Sequence, residues 1–162
     1  MIVVSDASPL IILAKLDRLP LISRLFDAEI TVLRCVVNEV LGERAGILER
    51  QRLEAFFASS ARIVEFTGSD LASKALSASD QSTLTYCEQT KADWLVADER
   101  LIRRIAKGKG IAVIGTLGIL LQSVRRNIHS KSEAKQDVQK AVGEHGLRIS
   151  VALYQRILQE LE

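Results

Sequence analysis

Three short runs in this chain are apolar at every position: Ile2-Val3-Val4, Trp94-Leu95-Val96-Ala97 and Ile111-Ala112-Val113-Ile114. A strand with one wet face alternates apolar and polar residues. A strand without alternation is covered on both faces, which is the situation of a parallel sheet between two layers of helices. The segments between these runs carry helical signals, and Ile30 to Leu33 adds a fourth candidate strand. The expected fold class is therefore α/β, a three-layer α/β/α arrangement around a central parallel sheet.

The 162 residues suit one domain over 1–162, with a helical extension from about residue 131. Apolar residues make up 48% of the chain and aromatic ones 4%, so the core is aliphatic. A formal net charge of +2 is too mild to indicate a polyanion partner, so any basic signal has to come from local clustering. Cys35 and Cys87 are far apart and outside any metal-ligand pattern, which fits a reduced, cytoplasmic protein. The first apolar run has no basic flank and is interrupted by Asp6, unlike a signal peptide, and no run approaches the length of a membrane span.

Taken in order, the first strand stops at Asp6, after which Ser8 and Pro9 read as the cap and first residue of a helix through Leu16. Pro20 opens a second helix, and Cys35 to Leu41 a third, with Gly42 as its stop and Glu39 upon it. Ile47 to Ala58 is amphipathic, with Leu48, Leu53, Phe56 and Phe57 inward. Arg62 to Phe66 reads as a strand and Leu71 to Leu76 as a small helix. Ser79 is the expected cap of a helix to about Lys91, with Asp80 in its first turn. Helices are expected over Glu99 to Lys107 and Ile119 to about Arg126, and Lys131 to Glu144 reads as a polar helix or a mobile segment. A last one follows Ser150, with a stripe of Leu153, Tyr154, Ile157, Leu158 and Leu161.

Asp6 and Asp98 occupy equivalent places, each closing an apolar strand before a helix. If the two strands are neighbours, both carboxylates emerge at one edge of the sheet, where parallel α/β proteins bind ligands. Like charges buried together raise each other's pKa, and a divalent cation relieves that cost. Mg²⁺ and Mn²⁺ prefer oxygen ligands, and such a site can activate water against a phosphodiester. Glu39 and Asp80 are the best further candidates. Glu43 and Asp93 read more simply as exposed acids, and Glu99 is expected to point elsewhere on its helix.

The run Val4-Ser5-Asp6-Ala7-Ser8-Pro9-Leu10 resembles the opening of a PIN domain. Leu95-Val96-Ala97-Asp98-Glu99-Arg100, Arg103-Arg104-Ile105-Ala106 and Ile114-Gly115-Thr116-Leu117-Gly118 are similar to later parts of the same family, in the right order. The likeness is greatest to the prokaryotic branch that includes VapC-type toxins, and it extends to the closing Arg148-Ile149-Ser150 and its helix. The resemblance implies a Rossmann-like sheet and a ribonuclease dependent on Mg²⁺ or Mn²⁺. It implies catalytic acids at Asp6, Glu39, Asp80 and Asp98, with metal held by Asp6, Asp98 and Asp80, and supporting roles for Ser8 and Thr116. It also implies an RNA substrate, a cognate antitoxin and a homodimer. Two positions depart from the branch: Ser79-Asp80 stand where Gly-Glu is common, and Arg34-Cys35 where a Pro often follows the second strand.

On the helix after Asp98, the residues Arg100, Arg103, Arg104 and Lys107 share one face, a candidate track for a phosphate backbone. Arg125, Arg126, His129 and Lys131 form a second basic cluster. His129 and His145 are read as loop or surface residues without a catalytic role. Gly115-Thr116-Leu117-Gly118 is a turn into a helix and lacks the spacing of a full phosphate-binding loop. Two other functions remain open from the residues. One is a non-catalytic nucleic-acid or protein-binding module on the same fold. The other is a receiver-like phosphoacceptor, disfavoured because no Lys follows Ile114.

Overall fold

The computed structural model describes residues 1–68 and 75–162. Five strands form one sheet: β1 (Val3–Ser5), β2 (Ile30–Leu33), β3 (Ala61–Val64), β4 (Trp94–Val96) and β5 (Ala112–Ile114). Their order is β3-β2-β1-β4-β5 and every pairing is parallel. β1 is central, with Val3 opposite both Ile30 and Trp94. The order reverses at β1: the chain winds outward to β3, then returns to lay β4 on the other side of β1. Adjacent strand ends leave a crevice at such a reversal.

The helices among the described residues are α1 (Ala7–Leu16), α2 (Pro20–Phe26), α3 (Arg34–Val40), α4 (Ile47–Ser59) and α5 (Ala78–Thr90), then α6 (Arg100–Gly108), α7 (Thr116–Arg125), α8 (Lys131–Gly143) and α9 (Val151–Glu160). Successive strand residues point to opposite faces. Accordingly Val3 and Val96 enter a large core with Leu10, Leu13 and Ile119, while Val4 and Leu95 enter a smaller one with Leu84, Ile102 and Ala106. The sheet is thus covered by α5 and α6 on one face and by helices including α1 and α7 on the other. This is the expected three-layer α/β/α architecture, and the unbroken apolarity of β1 and β4 follows from it.

Several local expectations shift. The first helix starts at Ala7 with Asp6, not Ser8, at its cap position. Pro9 is tolerated at the third helical position because the first four helix N–H groups lack an intrahelical partner anyway. α5 is capped by Ser77, whose hydroxyl accepts from the Asp80 N–H at 3.1 Å, and not by Ser79. α7 begins at Thr116, so the Gly115–Gly118 turn is already helical. Leu48 is 61% exposed, because the inward stripe of α4 starts only at Leu53. The small helix expected over Leu71–Leu76 lies mostly outside the described residues.

The last helices join the same body. α8 buries Ala134, Val138 and Ala141, and α9 buries Ile157. His129 lies inside this packing rather than on the surface, with its Nε2 at 2.7 Å from Asp137 and its Nδ1 at 3.6 Å from Glu133. Arg18, just after α1, donates to the same Asp137 carboxylate at 2.8 Å and ties α8 to the first layer. No helix among the described residues is long and apolar enough to cross a membrane.

Candidate active site

The crevice at the strand ends is built from the first and fourth strands. The ladder runs Val3, Val4 and Ser5 opposite Trp94, Leu95 and Val96, and the Asp6 N–H adds one more bond, to the Val96 carbonyl at 2.9 Å. That bond fixes the Asp6 backbone at the sheet's carboxyl edge. Asp6 occupies the cap position of α1, yet its side chain makes no capping hydrogen bond. It is 3% exposed, and its Oδ1 has no hydrogen-bond partner among the described residues. A buried carboxylate oxygen left unpaired is costly.

The charges around Asp6 increase that cost. Its pKa is pushed from 3.8 to about 7, first by burial, then by Asp80, with Glu39 and Glu99 adding to it and a backbone hydrogen bond at Ala7 opposing. Glu39 sits at the exposed rim on α3. Partial desolvation raises its carboxyl, then the Asp80 charge and, more weakly, Glu99. The nearby Ser79 hydroxyl tempers that shift, although it closes no hydrogen bond of ordinary geometry. Asp80 is half-buried in the first turn of α5, its backbone held by Ser77. The charges of Asp80, Glu39 and Glu99 thus all act on Asp6, and those of Asp80 and Glu99 act on Glu39.

Glu99 was expected to point elsewhere on its helix than Asp98, and its charge is felt at Asp6 and Glu39. It is the cap residue of α6, with φ −64° and ψ 132°, so helical periodicity does not yet govern its direction. The signal in the sequence was the doubled acid, Asp98-Glu99, after an apolar strand. Asp98 has other partners. Its Oδ1 accepts from the Thr116 N–H at 2.7 Å, and its Oδ2 from the Thr116 hydroxyl at 2.7 Å and the Ser8 hydroxyl at 3.3 Å. Ser8 and Thr116 thus both reach the site, and both act on Asp98.

Gly115 makes that clasp possible. A Cβ there would stand 2.6 Å from Arg103 Nη1 and 2.8 Å from Asp98 Oδ1. Its φ of −104° suits any residue, so space alone demands glycine. Asp93 lies at the opposite edge of the sheet, where its Oδ2 accepts from the Ile2 N–H at 2.7 Å. Glu43 is exposed beyond α3.

Among the described residues, no three His, Cys, Asp or Glu side chains already form a group that could hold a metal ion. The chemistry of the donors nonetheless fits a hard divalent cation: all are carboxylate oxygens, one is buried and unpaired, and the cluster lacks a countercharge. Asp6 and Asp80, with Glu39 and Glu99, are the side chains that would hold such an ion.

Arg100, Arg103, Arg104 and Lys107 line one groove of about 1180 Å³ together with Asp98. The second basic cluster is spent on structure. Arg125 pairs with Glu160, Arg126 donates to the Leu25 carbonyl at 2.9 Å, Lys131 reaches the Glu162 carbonyl, and His129 is buried as described.

The family model described as DUF3368: PIN domain matches residues 2–162. No curated protein matches the chain. Among solved structures it is similar to a PilT N-terminus domain protein, SSO1118, from the hyperthermophilic archaeon Sulfolobus solfataricus P2. The TM-score is 0.56 and the identity 15%, over 76% of this chain and 93% of that one. At that identity the likeness is one of fold.

Proposed function

The chain belongs to the PIN-domain family, whose members are generally nucleases, and on that premise we propose that it hydrolyses RNA phosphodiester bonds with Mg²⁺ or Mn²⁺. One observation carries the reading: Asp6 is buried with an orphaned oxygen among three further carboxylates. An arrangement that costs stability in the free protein is understandable if a cation completes it.

A bound divalent ion would supply charge neutralisation and a more acidic water. The protein's own residues do the rest. Asp6 and Asp80, joined by Glu39 and Glu99, provide oxygen ligands. Thr116 and Ser8 lock Asp98 at the boundary between this cluster and the groove. Arg100, Arg103, Arg104 and Lys107 attract the phosphate backbone and offset its repulsion by the acids. No histidine is needed as a base, and His129 is committed to Asp137.

The resemblance to VapC-type toxins extends this proposal to a toxin with an antitoxin partner, acting as a homodimer. The competing reading, a binding module without catalysis, is motivated by Asp80, which stands where the family branch commonly has a longer Glu. Incubating a mixed single-stranded RNA with the protein in Mn²⁺, Mg²⁺ or EDTA, beside Asp6→Asn, separates them. Metal-dependent cleavage lost in the variant supports the nuclease. RNA binding that needs neither metal nor Asp6, without cleavage, supports the module.

A further inference from the structure

Among the described residues, four buried side-chain oxygens have no hydrogen-bond partner: Asp6 Oδ1, Ser79 Oγ, Thr83 Oγ1 and Ser123 Oγ. Buried polar atoms are nearly always paired, so each asks for a reason. Ser123 lies near the end of α7, on the other face of the sheet from α5. Asp6 and Ser79 belong to the acidic site, where the Ser79 hydroxyl already tempers Glu39. Thr83, one helical turn beyond Ser79, has no role in the fold that explains it.

Thr83 faces Asp6. Val4 enters the smaller core with Leu84 and Cys87 of α5. Asp6 follows Val4 by two residues on extended backbone, so its side chain leaves the chain on that same face, toward α5. On α5, Asp80, Thr83 and Cys87 are separated by three and then four residues, the intervals that stack side chains along one side of a helix. Both ends of this row register Asp6: the Asp80 charge acts on the Asp6 carboxyl, and the Asp6 charge acts on the Cys87 thiol. Thr83 stands between them and is 1% exposed. A helical Thr commonly donates to the carbonyl four residues back, and Thr90 on the same helix does so, to Tyr86 at 2.8 Å. Thr83 makes no such bond, so its hydroxyl is kept free of its own backbone.

We propose that Thr83 is a positioning residue for the cation of the acidic site: its hydroxyl donates to the Asp6 carboxylate in the ion-bound protein and fixes that carboxylate's orientation. The proposal rests on the metal-dependent reading above. An ionised carboxylate only accepts hydrogen bonds, and a hydroxyl supplies the donor it lacks. Asp98 shows what a fixed carboxylate looks like here, with Thr116 and Ser8 on its two oxygens. Asp6 has no such clasp on Oδ1, and Thr83 is a buried donor on the row beside it. Carboxylates that ligate metals are themselves held by such outer partners.

The test is the Mn²⁺ affinity of the full chain, measured by titration calorimetry without RNA, beside urea unfolding of the metal-free protein. Thr83→Val removes the hydroxyl and keeps the shape. Outer partners of metal ligands contribute about ten- to a hundredfold to affinity, so the Mn²⁺ dissociation constant should rise about tenfold or more. Thr83→Ser should retain the parent's constant. Ser123→Ala deletes another buried, unpaired hydroxyl and should leave the constant unchanged. Metal-free Thr83→Val should be at least as stable as the parent, because the group removed is unpaired there. Weaker ion binding without lost stability separates a positioning role from a packing one. If the metal-free variant is less stable, or if Thr83→Ser binds as weakly as Thr83→Val, the proposal is overturned. If the parent and Thr83→Val bind Mn²⁺ alike, the Thr83 assignment falls and the ion site stands. If the parent binds no Mn²⁺, the ion site itself falls and Thr83 with it.

Discussion

Thr116 grips Asp98 twice, through its backbone N–H to one carboxylate oxygen and its hydroxyl to the other, both at 2.7 Å. Thr116 is fully buried, so neither bond competes with water. Hydrogen bonds to a charged group contribute about 1.5–3 kcal/mol each. Thr116→Val keeps the shape and removes one of them. Denaturant titration should show a loss of about 1–3 kcal/mol, and RNA cleavage should fall without vanishing. Unchanged stability would mean that the hydroxyl bond contributes nothing.

Gly115→Ala should also destabilise, for a steric reason. The new methyl falls within 3 Å of Arg103 Nη1 and Asp98 Oδ1, and Asp98 cannot yield without breaking the Thr116 clasp. Overpacking of this kind costs about 1–3 kcal/mol. Thermal unfolding of the variant should show a lowered Tm, and a Tm equal to the parent's would contradict the clasp.

The carboxyl of Asp6 links stability to pH. Its folded pKa of about 7 lies above the ordinary 3.8, so between those values the folded protein binds the extra proton. The stability this confers is complete below about pH 4 and is lost as pH rises through 7. The metal-free protein should therefore be less stable at pH 8 than at pH 5. Between those two pH values the linked difference is up to ~2.6 kcal/mol at Asp6, an upper bound because the neighbouring acids share the titration. Asp6→Asn should flatten that slope and make the metal-free protein more stable at pH 8. Urea titrations at the two pH values decide it.

Metal should reverse the penalty. At pH 8, Mn²⁺ at a hundredfold excess over its dissociation constant stabilises by about 2.7 kcal/mol through mass action. A Tm increase with Mn²⁺, removed by EDTA and absent in Asp6→Asn, is the expected result. If millimolar Mn²⁺ leaves the parent's Tm unmoved, the acids do not form an ion site.

Asp98 and Glu99 should respond differently to neutralisation. Glu99→Gln is expected to shrink the Mn²⁺-induced shift while leaving the metal-free protein no less stable, because it removes a repelling charge from Asp6. Asp98→Asn should lower the metal-free Tm, since its oxygens hold Ser8 and Thr116, and should retain most of the shift. The same thermal measurements with and without Mn²⁺ separate the two, and the opposite pattern would assign ligation to Asp98.

The layered fold was legible because a parallel sheet leaves an unmistakable mark. Val3-Val4 and Leu95-Val96 are apolar at every position because each pair feeds two cores, and no other common arrangement asks that of a strand. Asp6 was legible for the related reason that a lone acid ending such a run needs an explanation. Glu99 was not. A helical wheel places it away from Asp98, but as the residue before the first helical turn it follows the loop and not the wheel. His129 was misread because nothing local signals burial. Asp137, which holds it, lies 8 residues further on, and Arg18, which holds Asp137 in turn, lies 119 residues from that aspartate.

The sequence by itself therefore determined the periodic features: which segments are strands and helices, that the sheet is parallel, and that Asp6 ends a buried strand. These depend on local chemistry repeated along a segment, and repetition survives errors of a residue or two. Only the tertiary structure decided which acids act on one another, which are tied to hydroxyls, and which basic side chains line the groove beside Asp98. Those are relations between single side chains on separate segments. A turn of one residue, such as the start of α6 at Arg100 rather than Glu99, is enough to redirect a carboxylate.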